Sequence, residues 1–351
     1  MVQEDASKSP SDAVSRLYAT ASRKREFVTM ESIRAKFMTS DRDNRLAAAM
    51  DALLANAVQR ENVKLPPSFE NRGRGSGLVL VGPTGVGKSH SLERYFEKHS
   101  VLAGYKNATS QSPLVSVSVP SPCTSMQLAR SLLRGSGYSI ERDLPSHRLW
   151  ELALDRLDRM QRFIVHFDEM QHVVHNMPEK DLQQMADTLK NAMYNRRISL
   201  ILSGVKTLIP FLHFDPQLFR RLTIVPFEGV TPETYGEIED MLHAYAQAAG
   251  LTASFGDAAI SHDFIARLCH AALNAFGYAI VLTQLAIEQA LQSGNNALTK
   301  EHFATVFAQK TAFMADRNPF LADRWHEIDC SKMFKKPDVS PPPTPARRGR
   351  R

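Results

Sequence analysis

The sequence predicts an α/β protein: a parallel central sheet followed by a small all-helical domain. Three observations carry this. An apolar run, Leu78-Val79-Leu80-Val81, leads straight into Gly82-Pro83-Thr84-Gly85-Val86-Gly87-Lys88-Ser89 and then into a stretch with helical spacing. A second apolar run, residues 163–167, ends in the paired carboxylates Asp168-Glu169. From Thr231 onward the apolar spacing is helical throughout. Strand, glycine-rich turn and helix are the context that a G-x-x-x-x-G-K-[ST] phosphate loop requires.

The residue types in that loop follow from what phosphate needs. Gly82, Gly85 and Gly87, with Pro83, Thr84 and Val86 between them, let successive backbone N–H groups converge on phosphate oxygens. The helix that follows adds its positive N-terminal end. Lys88 is the residue to bridge the β- and γ-phosphates, and Ser89 the one to hold Mg²⁺. ATP and Mg²⁺ are the expected cofactors.

At 351 residues the chain has room for a large core, two domains and appendages. Its 43% apolar and 23% charged content is ordinary for a soluble protein. No apolar run approaches the length of a membrane span, and Met1-Val2-Gln3-Glu4-Asp5 opens no signal-peptide pattern. Cys123, Cys269 and Cys330 are scattered without CxxC spacing and read as reduced thiols. A cytoplasmic protein with no membrane partner is expected. The net charge of +6 looks like a nucleic-acid signal, but Arg347, Arg348, Arg350 and Arg351 supply four of those charges. Net charge alone therefore decides little.

In chain order, residues 1–25 are polar and expected to be disordered. Residues 26–77 form a helical segment and linker, with Asp41 or Asp43 as candidate cap of its second helix. The connector from Lys64 to Gly77 is expected to lie over the base. The nucleotide-binding core takes residues 78–230. Within it, residues 113–119 alternate as a strand, a Pro-Ser-Pro break follows, and helices run to the strand that ends at Asp168. In a parallel sheet that acidic pair emerges beside the phosphate loop. Asp168 then meets the Mg²⁺ shell and Glu169 polarises the attacking water. His166, His172 and His175 stand near Glu169 without HExxH spacing, so His166 is read as an in-sheet residue with one hydrogen bond. Residues 198–202 form a further buried strand ending at Ser203-Gly204. Ser203 there either orients the hydrolytic water or touches the γ-phosphate, or is a turn serine. An arginine after residues 215–219 either reaches a neighbouring subunit's γ-phosphate or is solvated surface. The helical domain is placed at residues 231–318 and a proline-rich basic tail at 319–351.

The order of phosphate loop, Asp-Glu strand, polar strand end, arginine segment and helical lid resembles an AAA+ ATPase. Several stretches are similar to the TniB/TnsC family, target-site regulators of DNA transposons. They are residues 119–122 followed by 132–138, Asp168-Glu169-Met170-Gln171-His172, Ser203-Gly204, and Asp215-Pro216-Gln217-Leu218 with Arg221. Asn274-Ala275-Phe276-Gly277-Tyr278 is similar to the start of the family's lid helix. The resemblance implies a bacterial, ATP-dependent oligomer, a ring or helical filament on double-stranded DNA. It would recruit a transposase and take cues from a target-selection protein. It also implies Ser203 as sensor 1 and Arg221 as the arginine finger, with Arg220 as a rival because Leu222 stands where an aromatic is expected. Tyr278-Ala279 falls where a sensor-2 arginine often stands. For DNA contact, Ser121, Thr124, Ser125 and Arg130 are the candidates, since hydroxyls and an arginine can follow a phosphate backbone without reading bases. A capped helix with a solvated face accounts for the same four residues. The competing functions are an origin-recognition or helicase-loading ATPase, and a nucleotide-gated signalling switch that never touches DNA.

Overall fold

The computed structural model describes residues 14–15, 24–140, 142–255, 258–311 and 315–333. Most of residues 1–25, expected to be disordered, and the arginine-rich end of the tail lie outside the described residues. The chain divides into two compact units, one of Met38–Gly229 with Ala275–Gly277, the other of Met1–Phe37, Val230–Asn274 and Tyr278–Arg351.

The first unit is built on five strands: β1 Gly77–Val81, β2 Leu114–Ser118, β3 Ile164–Asp168, β4 Ser199–Gly204 and β5 Leu222–Pro226. They lie in the order β2-β3-β4-β1-β5, and every pairing is parallel. Strands buried on both faces need near-continuous apolar sequence, which is how β1 (GLVLV) and β4 (SLILSG) read. The order matters more for function than the count. β4 sits between β1 and β3, so Ser203 stands between the phosphate loop and Asp168.

The two faces of this sheet differ. Val79, Val115, Val165, Phe167, Leu200 and Leu202 join a dry core. Packed on it are α4 (Ser125–Gly135), α5 (Ser146–Arg159), α7 (Glu179–Asn195) and the short α8 (Leu208–Leu212). The opposite face carries Ser116, His166 and Ser203 among its apolar residues, under Phe96 of α3 (Lys88–Lys98), whose ring centroid is 5.4 Å from that of His166. Helix α2 (Asp41–Ala57) packs on α3. Its cap is Ser40 instead of Asp41 or Asp43: the Asp43 carboxylate accepts from the Ser40 N–H and hydroxyl, and from the Ser91 hydroxyl at 2.6 Å.

The connector does not lie over the base site. Gly75 N–H donates to Met193 O (2.9 Å), Gly77 N–H to Arg221 O (2.8 Å) and Arg72 to Arg197 O (2.8 Å). These contacts tie it to the amino ends of the strands, while the phosphate loop leaves their carboxyl ends. The physical reason is direct: a segment that enters a strand must do so at that strand's start.

The second unit contains α1 (Lys24–Ala35), α10 (Tyr235–Ala248), α11 (Ala258–Ala271) and α13 (Lys300–Thr311), with most of α12 (Phe276–Gln292). A two-residue parallel pairing, β6 Thr252–Ala253 with β7 Ala297–Leu298, closes it. Its core is aromatic: Phe264 stacks on Phe255 with centroids 4.1 Å apart and meets Phe303 edge-on. Helix α1 belongs here and not with α2, because Tyr245 donates to Lys36 O at 3.0 Å and Lys36 to Ala244 O. The unit also runs past the expected boundary at 318. Phe320 and Cys330 are buried, Phe320 against Phe264, Phe303 and Phe307. Proline at 319 ended the helical pattern in the sequence without ending the core. Among the described residues no single helix is long and apolar enough to cross a membrane.

Candidate active site

The phosphate loop and α3 arise from one local conflict: a strand must turn sharply and start a helix whose first N–H groups face outward. Gly87 resolves it at φ 103°, a left-handed conformation that side chains rarely adopt, with nothing within 4 Å of where its Cβ would stand. The first hydrogen bond of α3 is Ser91 N–H to Gly87 O, so the amides before it remain available to an anion. The Lys88 ammonium is buried and held by the carbonyls of Gly82 and Pro83 at 2.9 and 2.8 Å. Burial lowers its pKa, and Glu169 and Asp168 oppose that.

Around Lys88 the structure gathers Ser89, Asp168, Glu169 and Ser203. The Asp168 carboxylate accepts hydrogen bonds from Ser203 and Ser89 and from the Glu169 N–H at 3.0 Å. Burial would raise this carboxyl. His166, the two hydroxyls and the N–H together outweigh it and hold Asp168 below the usual carboxylate range. Ser89 and Asp168 thus offer a hydroxyl and a carboxylate in contact, the hard-oxygen donors that Mg²⁺ takes alongside phosphate and water. These residues fit the ion.

Behind Ser203 runs a relay that the sequence reading did not contain. His166 makes two hydrogen bonds, not one: Nδ1 to Ser116 Oγ at 2.8 Å and Nε2 to Ser203 Oγ at 3.0 Å. Burial pushes its pKa down to about 4, with Asp168 opposing, so the ring is neutral at neutral pH. Because Ser203 donates its hydroxyl proton to Asp168, it accepts from the Nε2–H of His166. The Nδ1 lone pair then accepts from Ser116. One neutral tautomer satisfies the whole chain.

Glu169 adopts φ 58°, which swings its carboxylate off the strand direction. Gln171 donates its side-chain amide to that carboxylate, and His172 Nε2 lies 4.0 Å away. Gln171 and Arg42 are further residues not singled out from sequence. Arg42 is buried between the rings of Phe227 and Phe276, 5.1 and 4.7 Å from their centroids, and donates to Glu228 O. Phe227 N–H bonds Val81 O, and a Cβ on Gly277 would stand 2.4 Å from Gly85 O. This aromatic-arginine wall therefore flanks the phosphate loop.

The remaining candidates lie elsewhere. Arg221 sits at the amino end of β5, at the far end of the sheet from its own phosphate loop. Of the four residues considered for DNA, three have internal work. Thr124 caps α4 by accepting from Gln127 N–H, Ser125 bonds Ser146 and Trp150 Nε1 (both 3.0 Å), and Arg130 pairs with Asp143 at 2.8 Å. Ser121 is exposed.

Comparison with known proteins bears on the fold. No curated protein matches the sequence. The chain is similar in structure to Cdc6p from Pyrobaculum aerophilum (TM-score 0.55, 16% identity, 78% of this chain and 69% of that one). It is also similar to the Aeropyrum pernix ORC1 protein, solved in complex with DNA (TM-score 0.52, 18%, 79% and 65%). A third is the Aeropyrum pernix ORC2 protein, solved as ADPNP-ADP complexes (TM-score 0.51, 16%, 78% and 68%). The chain thus spans about two thirds of the length of these proteins, and at such identities the likeness concerns the fold. Residues 61–231 match the family model described as Bacterial TniB protein, and that stretch contains the phosphate loop, Asp168, Glu169, Ser203 and Arg221. Residues 61–231 are thus similar to the TniB family, and the likeness to solved structures shows the AAA+ P-loop ATPase fold.

Proposed function

We propose that the protein hydrolyses ATP to regulate DNA transposition in the bacterial cytoplasm. It assembles with ATP as a ring or filament on double-stranded target DNA, takes its position from a target-selection protein, and recruits and activates a transposase. Hydrolysis controls disassembly. The observation that carries this reading is the presence, inside the one stretch matched to the TniB family, of every group that phosphate chemistry requires.

The chemistry follows from the residues. Lys88 and the loop amides bind the phosphates. Ser89 and Asp168 would hold Mg²⁺, which when bound neutralises charge on the phosphate oxygens. Glu169, oriented by Gln171 and its positive φ, accepts the proton of the attacking water. Ser203, its hydroxyl proton committed to Asp168 and one lone pair to His166, has one lone pair left with which to accept from the attacking water. Arg221, remote from its own loop, completes the loop of the next copy. For DNA, the exposed loop at Ser121 is the part of the original set that is free of internal roles, and the Thr124 hydroxyl proton is also available.

The test is ATP turnover of the purified protein with and without duplex DNA, together with Glu169→Gln. That variant is expected to bind ATP and DNA, to lose turnover and to stay assembled. Turnover indifferent to DNA, with no DNA binding in ATP, would leave the signalling-switch reading instead. The likeness to ORC1 and Cdc6p favours origin recognition or helicase loading as the second reading. Co-assembly with a replicative helicase and not with a transposase would select it.

A further inference from the structure

The amino end of the sheet carries a cluster that the reading above leaves unused. Arg74 lies with its guanidinium carbon 4.0 Å from the ring centroid of Tyr194, and Arg221 lies 5.7 Å from the same ring. Tyr194, near the end of α7, is 44% exposed. Three backbone features place these residues together. Gly75 N–H bonds Met193 O and Gly77 N–H bonds Arg221 O, so the connector is pinned between α7 and β5. Gly75 permits this approach, since a Cβ there would stand 1.9 Å from Ile198 O. On the other side Asp215 caps α9 (Pro216–Phe219) through the N–H groups of Gln217 and Leu218, and its second oxygen takes Lys190 of α7 at 2.6 Å. The cluster is held by rigid elements on every side.

Its charge is what distinguishes it. Among the described residues neither the Arg74 nor the Arg221 side chain has an ion pair or hydrogen bond, whereas the guanidiniums of Arg196 and Arg197 do. Arg196 binds Asp155 and Asp158, and Arg197 binds Glu61. Two like charges sharing one ring repel, and the ring's negative face offsets only part of that. An anion between them would remove the repulsion. The exposed Arg220, beside Arg221 in sequence, does not share the ring.

We propose that Arg74, Tyr194 and Arg221 form one composite site that receives the terminal phosphates of the nucleotide bound by a second copy of this chain. Arg221 and Arg74 contact the phosphate oxygens, and Tyr194 is the positioning residue that keeps both guanidiniums on one side of α7. This rests on the reading that neighbouring copies share each nucleotide, and it adds a second arginine and the residue that orients the pair. It also selects Arg221 over Arg220.

The experiment measures turnover and assembly of the full chain with ATP and duplex DNA. Arg221→Ala is expected to lower turnover by about 10³-fold or more. Arg74→Ala should lower it by about 10- to 100-fold, the range of one charge-assisted hydrogen bond, with ATP binding to isolated subunits unchanged. Tyr194→Ala should cost about 2- to 5-fold and Tyr194→Phe nothing, because the ring face and not the hydroxyl does the positioning. The decisive arm mixes Arg74→Ala with Glu169→Gln. Each is defective alone, yet a junction formed by the loop of the first and the arginine of the second is intact, so turnover should rise well above the sum of the two. Three outcomes overturn the proposal. Arg74→Ala may turn over like the parent. Its mixture may fail while the Arg221→Ala mixture recovers, which would place Arg74's role within its own chain. Or Arg74→Ala may weaken DNA binding about tenfold with turnover in the absence of DNA unchanged, which would assign the cluster to the DNA backbone. If neither mixture recovers, it is the shared-nucleotide reading that fails.

Discussion

The two ends of the parallel sheet solve opposite electrostatic problems. At the carboxyl ends most polar groups are answered from within, the buried Gln171 Oε1 excepted. Ser116, His166, Ser203 and Asp168 form a closed donor–acceptor chain, and Lys88 is held by loop carbonyls and faced by two carboxylates. At the amino ends Arg74 and Arg221 share one exposed ring and, among the described residues, neither guanidinium has an ion pair. A buried polar network is costly unless satisfied, so these groups find their partners within one chain. An exposed cationic pair costs little in water, so the second end can wait for its anion.

The comparison breaks at different places with different force. The largest effect falls on the acid that water meets: Glu169→Gln is expected to reduce kcat by about 10²- to 10⁴-fold while ATP affinity is kept, measured by single-turnover hydrolysis and equilibrium nucleotide binding. Gly277→Ala should come next. Its Cβ would collide with Gly85 O, and shifting the loop to relieve that is expected to weaken ATP about tenfold, read by titration with a fluorescent analogue. His166→Leu removes the acceptor of the Ser116 hydroxyl and the donor to Ser203, which keeps only Asp168, a loss of about 1–3 kcal/mol of stability in denaturant titration. His166→Gln, able to accept and donate, should recover part of it. A full recovery by leucine would mean the relay is ordinary packing.

The relay also sets a pH dependence. In the unfolded chain His166 takes its proton near 6.5, whereas the folded chain resists until about 4. Between those values the unfolded state binds more protons, so stability falls as pH falls through that window, by about 3 kcal/mol at its foot. His166→Gln should flatten the difference curve there, and an unchanged curve would show that the carboxylates alone govern acid unfolding. The smallest effect concerns the thiols. Burial pushes Cys123 up to about 11 and Cys269 and Cys330 up to about 12, so at pH 8 the native protein should resist an alkylating reagent that labels all three after unfolding.

The phosphate loop, the acidic pair and Ser203 were legible from sequence because each is a local pattern at the end of an apolar run. What could not be read was adjacency. That β4 separates β1 from β3, and so brings Ser203 to Asp168 and His166, depends on strand order, which no stretch of chain encodes by itself. His166 looked like a residue with one bond because its partners lie on two other strands. Arg74 precedes the core sequence and Tyr194 lies deep within it, and the two meet where Gly75 N–H bonds Met193 O. The connector was placed at the wrong end for the same reason. The helical domain's extension to Phe320 and Cys330 was hidden by a proline that ends a helix without ending a core.

All five strands point one way, and that gives the nucleotide unit a head and a tail. Strands of five residues at about 3.3 Å each separate the two by about 16 Å. Two molecules related by a twofold axis bring like to like, and would leave both cradles and both guanidinium pairs idle. Joining unlike ends always exposes a fresh pair for the next arrival. If copies share nucleotides as proposed, growth by that rule would stop only when the last molecule finds the first, and the pitch of each junction would fix how long the assembly becomes.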